Sequence, residues 1–282
     1  MAGGAGNDTY IVDNAGDVVS ETSTVAGEID TVRSSVNFIL GANLENLTLT
    51  GTGDVFALGN SQDNVLIGND GNNQLSGAGG LDTMIGGKGN DTYGLDQSGE
   101  LALIQELANE GNDTLLITYA ATPQSSLVDL SISNLVNVEN ATLLGSGNFT
   151  LTGNSLNNTL IGNADNNVLN GGAGTDTLTG GAGADTFVFG GVNEMGTGSN
   201  RDVITDFNSA QGDKIDLTKF DANLLTAGFN GFTFIGAGDF TGAGQLRFVD
   251  HVLSGNVSGN AGADFEIQLV GVNSFSATDL VA

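Results

Sequence analysis

The chain has 282 residues and a formal net charge of −27 at pH 7, because 33 Asp and Glu residues face only 6 Lys and Arg residues. This charge excludes nucleic acids and anionic membranes as electrostatic partners and favours multivalent cations. The absence of cysteine excludes disulfides and thiol chemistry. No apolar run approaches the about 18 residues of a membrane span. With 45 Gly and 1 Pro, the composition also differs from that of an ordinary globular domain.

The chain opens inside a nine-residue motif, Gly3-Gly-Ala-Gly-Asn-Asp8-Thr-Tyr10-Ile, of the form G-G-x-G-x-D-x-U-x with U a large apolar residue. This start indicates a fragment of a longer repeat protein, in preference to a gene that begins abruptly. The motif returns as a run of four over residues 59–94. Its first, sixth and eighth positions are Gly59, Gly68, Gly77 and Gly86, then Asn64, Asn73, Asp82 and Asp91, then Leu66, Leu75, Met84 and Tyr93.

Irregular spacers occupy residues 1–58 and 95–152. Their short apolar and Thr-rich segments, broken by Gly and Asn, predict that the same coil continues with less regular turns. Asp30-Thr-Val and Asp113-Thr-Leu follow the earlier Asp-Thr-Tyr sequences at equal spacing. We interpret them as remnant turns stacked on Asp8 and Asp91; an Asp in an ordinary loop is the alternative.

Two further segments of the spacers allow more than one interpretation. Leu95 to Leu107 has an amphipathic helical pattern, but its counterpart Val12 to Glu21 is β-branched and contains a Gly. We therefore predict strand-turn-strand for both. The second spacer is the longer one, and its excess falls at Tyr119 to Leu130, where we expect an added loop or an enlarged coil.

A second run of four nonapeptides covers residues 153–188. It also begins with Asn-type turns and ends with Asp-type turns. Its first, sixth and eighth positions are Gly153, Gly162, Gly171 and Gly180, then Asn158, Asn167, Asp176 and Asp185, then Leu160, Leu169, Leu178 and Phe187.

The nonapeptide itself predicts a coil of turns and short strands. Six residues rich in Gly, Asn and Asp form a tight turn, because Gly is costly in regular structure and readily takes positive φ. The next three residues form a strand with one inward side chain. Two nonapeptides complete a flattened coil, so each turn stacks on the turn two repeats along, about 4.8 Å away. A Ca²⁺ ion with oxygen ligands at about 2.4 Å fits between two such turns, whereas Mg²⁺ demands stricter geometry.

These considerations predict an all-β fold, a right-handed parallel β-roll, that binds several Ca²⁺ ions, about four within the two runs. Stacked partners at the sixth position are Asn64 with Asp82, Asn73 with Asp91, Asn158 with Asp176, and Asn167 with Asp185. The candidate ligands, with Gly backbone carbonyls and the isolated first turn included, are Asp8, Asn64, Asn73, Gly77, Gly79, Asp82, Gly86, Gly87, Gly89, Asp91, Asn158, Asn167, Gly171, Gly172, Gly174, Asp176, Gly180, Gly181, Gly183 and Asp185.

After Val188 the chain becomes rich in Phe, and we predict that residues 189–282 form a β-rich cap that covers the open end of the roll. The nonapeptides resemble the hemolysin-type RTX repeat. The tail resembles the C-terminal domain of serralysin-type proteins over Asp202 to Phe207, Gly212 to Leu217, Phe232 to Phe248 and Ala263 to Leu269, and Asp279 to Ala282 resembles their acidic-then-apolar terminus. This resemblance implies a calcium-binding β-roll and a C-terminal signal that is read by a type I secretion channel, without a signal peptide.

The chain departs from the serralysin pattern because its one histidine, His251, is not part of an H-E-x-x-H motif. There is also no G-x-S-x-G motif, so we expect no catalytic residues and no enzyme activity in this chain. Asn256 to Asp264 resembles a calcium loop whose first acids are replaced by amides, and we do not expect it to bind an ion.

The sequence therefore predicts a calcium-binding module of a secreted or cell-surface protein that folds when it binds Ca²⁺ outside the cell. Its expected partners are calcium ions and, transiently, the type I secretion machinery. Two alternatives remain open: a surface-layer or adhesin-like structural segment, and the accessory module of a secreted enzyme whose catalytic domain lies elsewhere.

Overall fold

The computed structural model describes residues 1–281, so that only Ala282, the last residue of the predicted secretion signal, lies outside it. The described chain is built from short β-strands joined by turns and four 3₁₀ segments, and it divides into two compact units. Unit 1 comprises residues 1–119 and 132–140, and unit 2 comprises residues 120–131 and 141–281. Within residues 1–281, no helix has the length and apolar character needed to cross a membrane.

Unit 1 contains strands from two parallel sheets. One sheet has the order β1-β2-β4-β6-β8-β10, and the neighbouring strands of the other are β3-β5-β7-β9-β11. The elements are β1 (Thr9–Val12), β2 (Thr31–Ser34), β3 (Phe38–Ile39), β4 (Asn46–Leu49), β5 (Phe56–Leu58), β6 (Val65–Ile67), β7 (Gln74–Ser76), β8 (Thr83–Ile85), β9 (Thr92–Leu95), the 3₁₀ segment η1 (Ser98–Ala102), β10 (Ile104–Gln105) and β11 (Thr114–Ile117).

Unit 2 also contains strands from two parallel sheets, and its C-terminal part adds antiparallel strands. One sheet has the order β12-β14-β16-β18-β20-β25, and the other runs β13-β15-β17-β19-β24-β23-β22-β21. The elements are β12 (Leu127–Asp129), β13 (Asn140–Leu143), β14 (Thr150–Thr152), β15 (Thr159–Ile161), β16 (Val168–Asn170), β17 (Thr177–Thr179), β18 (Thr186–Val188), η2 (Val192–Glu194), η3 (Gly198–Asn200), β19 (Asp202–Ile204), β20 (Lys214–Asp216), β21 (Thr233–Phe234), β22 (Gln245–Val249), β23 (Val252–Asn256), β24 (Phe265–Leu269), η4 (Ala277–Asp279) and β25 (Leu280–Val281).

The strands of the nonapeptides stack in register with those two repeats along, as the parallel β-roll requires. Leu66 pairs with Met84, and Leu160 pairs with Leu178. All eight large residues at the eighth position are fully buried, as predicted: Leu66, Leu75, Met84, Tyr93, Leu160, Leu169, Leu178 and Phe187. Most of these strands have three residues of which the central one points inward, so the side chains at the eighth position stack into apolar columns inside the roll. β9 and β18 each bury one further apolar residue, Leu95 and Val188.

Replacing one of these column residues should destabilise the roll. We expect Leu160→Ala to cost about 2–5 kcal/mol of unfolding free energy in excess calcium, because it removes a fully buried side chain and leaves a cavity against Leu178. The matched control is Leu144→Ala, since Leu144 is 60% exposed and its loss should change stability by less than about 0.5 kcal/mol. Equal urea midpoints for the two variants would contradict the buried column.

The spacers continue the coil, but a 3₁₀ segment or a longer turn separates some of their strands. The amphipathic segment after β9 contains the five-residue 3₁₀ segment η1 and the short strand β10, so the predicted strand-turn-strand is correct there. In the corresponding first segment, β1 ends at Val12 and no further strand occurs among the described residues before β2, so the second predicted strand is wrong. The polar sequence that follows Val12 forms an Asx-type turn, in which the Asn14 side chain accepts a hydrogen bond from Gly16 N–H.

Beyond the second run, β19 and β20 continue the roll. Val203 pairs with Thr177, and Ile215 pairs with Phe187. Two antiparallel pairings, β22 with β23 and β23 with β24, then form a hairpin sheet that joins the roll through β24 and β19. Phenylalanine rings pack beneath it, for example Phe265 against Phe220 with centroids 5.0 Å apart. The cap thus covers strand edge and apolar core together.

Candidate metal centre

The turns bring the predicted sixth-position pairs together in a repeated hydrogen-bond pattern. In each pair, the backbone N–H of the Asn donates to Oδ1 of the Asp two repeats along. The donor–acceptor distances are 2.7 Å for Asn64 to Asp82, 2.7 Å for Asn73 to Asp91, 2.8 Å for Asn158 to Asp176 and 2.7 Å for Asn167 to Asp185. Each Asp is therefore fixed in orientation by the turn below it.

The second oxygen of each of these Asp side chains has no partner. Oδ2 of Asp82, Asp91, Asp176 and Asp185 is buried and accepts no hydrogen bond from the protein. The four residues are at most 1% exposed. A buried carboxylate oxygen without a donor is costly, and a cation is the group that satisfies it best.

The side-chain oxygens of the Asn members of the pairs, unlike Oδ2 of the Asp members, already accept hydrogen bonds. Asn64 Oδ1 accepts a hydrogen bond from Asn60 N–H at 2.7 Å, and Asn73 Oδ1 accepts one from Asn69 N–H at 2.6 Å. Asn158 Oδ1 accepts a hydrogen bond from Asn154 N–H in the same way, whereas Asn167 Oδ1 accepts one from Phe149 N–H of the turn 18 residues earlier, at 3.2 Å. These amides hold the turns in shape, so the carboxylates are the better candidates for binding an ion.

The first glycine of each Asp-type turn lies directly beneath the carboxylate. A Cβ at Gly77 would lie 1.8 Å from Asp82 Oδ2, and one at Gly171 would lie 2.2 Å from Asp176 Oδ2. Gly86 and Gly180 stand in the same relation to Asp91 and Asp185. The absence of a side chain at these four positions therefore leaves the space next to the carboxylate open.

The other glycines of the predicted set shape the turns. Positive φ occurs at Gly87, Gly89, Gly172, Gly174, Gly181 and Gly183. In the turn that begins at Gly77, the positive φ values fall instead on Ala78 and Gly80, while Gly79 donates its N–H to Asn60 O at 2.9 Å. Glycine takes positive φ at no steric cost, which explains the Gly content of the motif.

Each Asp also has an acidic neighbour on its other side, and of these four neighbours only Asp113 was predicted from the sequence. Asp176 N–H donates to Asp202 Oδ1 at 2.8 Å, and Asp185 N–H donates to Asp213 Oδ1 at 3.0 Å. Asp91 N–H donates to Asp113 Oδ1 at 2.7 Å, and the Glu100 carboxyl adjoins that of Asp82. The other three were hard to find because their spacing along the chain varies, whereas the nonapeptide period is constant.

Burial in this environment raises the pKa values of the Asp carboxyls. Burial raises the pKa of Asp91 to about 7 and that of Asp202 to about 7, although a backbone N–H lowers each in part. Burial likewise raises the pKa of Asp176 and Asp185 to about 6. The ionised forms are thus held at a cost that a bound cation would remove.

The first turn belongs to the same system. Asp8 N–H donates to Asp30 Oδ1 at 2.8 Å, and Asp8 Oδ2 is buried without a partner. The interpretation of Asp30 and Asp113 as turns stacked on Asp8 and Asp91 is therefore confirmed.

In contrast to the stacked turns, two other regions have polar groups that are satisfied by hydrogen bonds. They are the loop from Asn256 to Asp264 and the side chain of His251. Asp264 Oδ2 accepts hydrogen bonds from Val257 N–H at 2.7 Å and Ser258 N–H at 2.9 Å. Burial alone would raise the pKa of Asp264, but these donors lower it. The His251 Nδ1 atom lies 2.5 Å from Val272 O. These groups are satisfied by the protein itself.

The fold and the site together define a parallel β-roll whose stacked turns present buried carboxylates, a structural calcium-binding fold. The sequence pattern of the RTX calcium-binding nonapeptide repeat, in four copies, matches residues 58–93 and 152–187. Both segments thus carry the RTX calcium-binding nonapeptide repeat.

The chain is also similar to a characterised protein over a short stretch. It is 40% identical over 67 residues to the endo-1,3-1,4-beta-glycanase ExsH of Rhizobium meliloti (strain 1021). The matched stretch is 23% of this chain and 14% of that protein. The chain therefore spans a small part of the length of this relative.

Proposed function

We propose that this chain is a calcium-dependent folding module of an exported protein. The observation that carries the proposal is the set of four Asp Oδ2 atoms in stacked RTX turns, all buried and without a hydrogen-bond donor. Asp82, Asp91, Asp176 and Asp185 would hold the ions together with glycine carbonyls of the same turns. When bound, calcium supplies the positive charge that these carboxylates lack.

The free energy available from binding is large enough to decide folding. One site that binds only the folded chain stabilises it by RT ln(1 + [L]/Kd), about 2.7 kcal/mol at a hundredfold excess of ligand. Four such sites would contribute on the order of 10 kcal/mol, which matches the total stability of an ordinary domain. At low calcium the chain would remain unfolded because its net charge of −27 opposes compaction.

Export in the unfolded state follows from this switch. Low calcium in the cytosol would keep the chain able to pass a secretion channel, and higher calcium outside would fold it. The pairing of Leu280 with Ile215 supports this order, because a secretion signal in the last residues of this chain would be accessible only before the roll folds. The RTX repeats and the serralysin-like tail point to the type I machinery as the partner and to an extracellular or cell-surface destination.

The similarity to ExsH favours a second candidate function, which is compatible with the first. The chain would then be the calcium-binding accessory part of a secreted enzyme that acts on polysaccharides, with the catalytic domain encoded elsewhere in the gene. The full gene sequence decides this point.

Calcium removal tests the folding switch. We expect far-UV circular dichroism of the chain in excess EGTA to show a largely unfolded protein, and added Ca²⁺ to produce a cooperative gain of β-structure. Mg²⁺ at the same concentration is the control and should be far less effective, because it dehydrates reluctantly and demands octahedral geometry. A fully folded spectrum in EGTA would contradict the proposal.

A further inference from the structure

Two acidic clusters in unit 1 extend beyond the matched nonapeptide blocks. The Glu106 cluster consists of Asp91, Glu106 and Asp113, and the Glu21 cluster consists of Asp8, Glu21 and Asp30. In each cluster, one carboxylate oxygen from every residue lies within 4.8 Å of the others. Each combines the Asp of an Asp-Thr-Tyr turn, a Glu from the following spacer and the Asp of the next stacked turn.

The Glu106 cluster is deeply buried and incompletely satisfied. Asp91, Glu106 and Asp113 are 1%, 5% and 0% exposed. Asp91 Oδ2, Glu106 Oε1 and Asp113 Oδ2 are all buried without a hydrogen-bond partner. The ion pairs in the described part of the chain join Lys88 to Asp70, Arg201 to Glu266 and Arg247 to Asp239, so none of them neutralises this cluster.

The remaining oxygens of the cluster are held in place by defined donors. Asn73 N–H donates to Asp91 Oδ1, and Asp91 N–H donates to Asp113 Oδ1, both at 2.7 Å. The Tyr93 hydroxyl donates to Glu106 Oε2. Each carboxylate thus has one oxygen fixed by the protein and one without a partner.

The Glu21 cluster repeats the arrangement in the first spacer. Asp8 N–H donates to Asp30 Oδ1 at 2.8 Å, and the Tyr10 hydroxyl donates to Glu21 Oε2 at 2.5 Å. Here Glu21 Oε1 also accepts backbone hydrogen bonds from Thr22 and Ser23, and Asp8 is only partly buried. The same set of groups is therefore present, but with fewer unsatisfied oxygens than in the Glu106 cluster.

The donor set and its spacing point to calcium. The ligand atoms are all oxygens, which hard cations prefer, whereas zinc favours nitrogen and sulfur. Two oxygens bound to one Ca²⁺ at about 2.4 Å can be at most about 4.8 Å apart, so the observed spacing allows all three oxygens to bind one ion. Three carboxylates also bring more charge than the single carboxylate of an Asn–Asp pair.

We propose that Asp91, Glu106 and Asp113 form one calcium site, in which Glu106 and Asp113 of the spacer complete the turn of Asp91 and make it tighter than the turns that pair an Asp with an Asn alone. Asp8, Glu21 and Asp30 form a weaker second copy. Tyr93 and Tyr10 are positioning residues that orient the two glutamates. The inference rests on the proposed function only for the identity of the ion. It assigns the spacers a role in metal binding that the repeat pattern does not contain.

Terbium luminescence tests the proposal on the full chain, because Tb³⁺ replaces Ca²⁺ at oxygen sites and emits when a nearby tyrosine is excited. The chain has 3 Tyr and no Trp, and two of these tyrosines bind the cluster glutamates. We expect tyrosine-sensitised emission to rise as Tb³⁺ folds the chain, because folding brings the cluster carboxylates together beside Tyr93 and Tyr10, and excess Ca²⁺ to abolish it. A chain that Tb³⁺ folds without tyrosine-sensitised emission would overturn the proposal.

The decisive variant is Glu21→Gln/Glu106→Gln, in which each amide has the shape of the acid but no charge. We expect the emission at a given Tb³⁺ concentration to weaken about tenfold, while the variant still reaches the folded spectrum in excess Ca²⁺. The charge-matched control is Asp63→Asn/Asp239→Asn, since both of these side chains are exposed. If the titration curve of the variant overlays that of the parent, Glu21 and Glu106 are not metal ligands and the proposal fails. If Ca²⁺ does not fold the parent at all, the folding proposal fails separately, and the terbium titration still decides whether the clusters bind metal.

Discussion

Deletion of Asn208 to Ala282 should leave the remaining chain without a calcium-induced folding transition. The deletion removes β20, whose Ile215 pairs with Phe187 of the last nonapeptide, and β24, whose Ile267 pairs with Asp202. It also removes Asp213, the acceptor for Asp185 N–H. The end of the roll would then expose apolar core and open strand edges, and a solenoid without a cap lacks the surface on which its coils stack.

Circular dichroism during a Ca²⁺ titration measures this effect. Deletion of residues 1–55 is the control, because it shortens the chain at the other end and retains both nonapeptide runs and the cap. We expect that control to keep a calcium-dependent transition in unit 2. Full calcium-induced folding of the chain that ends at Phe207 would refute the role of the cap as a folding nucleus.

Replacement of Asp176 and Asp185 by Asn should raise the calcium concentration at the folding midpoint about tenfold, equivalent to about 1.4 kcal/mol. Asn already occupies the sixth position of the two preceding turns, so the change preserves a turn type that the chain itself uses. An Asn at either position can still accept the backbone hydrogen bond from the turn below. What it removes is the buried negative charge that would attract the ion.

The exposed double variant Asp63→Asn/Asp239→Asn again serves as the control, because it removes the same net charge from the surface. We expect its midpoint to lie close to that of the parent, since exposed charges contribute little and are screened by salt. Overlay of the Asp176→Asn/Asp185→Asn titration on the parent would show that these turns do not bind calcium.

The sequence by itself determined the parallel coil, the inward column and the stacking of the nonapeptides. Strict spacing at period nine fixes which residues stack, and Gly fixes where the chain turns. Leu160 on Leu178 and Leu66 on Met84 follow from that period alone. The Phe-rich change after Val188 likewise indicated a cap, because an open roll end needs a cover.

Only the tertiary structure decided which acids meet where the spacing along the chain is irregular. Asp202 and Asp213 stack on Asp176 and Asp185 across loops of unequal length, so no fixed period marks them. Glu106 reaches Asp91 and Asp113 because η1 and β10 return the chain to the roll, a path that local sequence does not specify. The physical reason is that a constant repeat length sets which residues stack on one another. In a spacer of variable length, the contacts depend on how the chain packs against the rest of the fold.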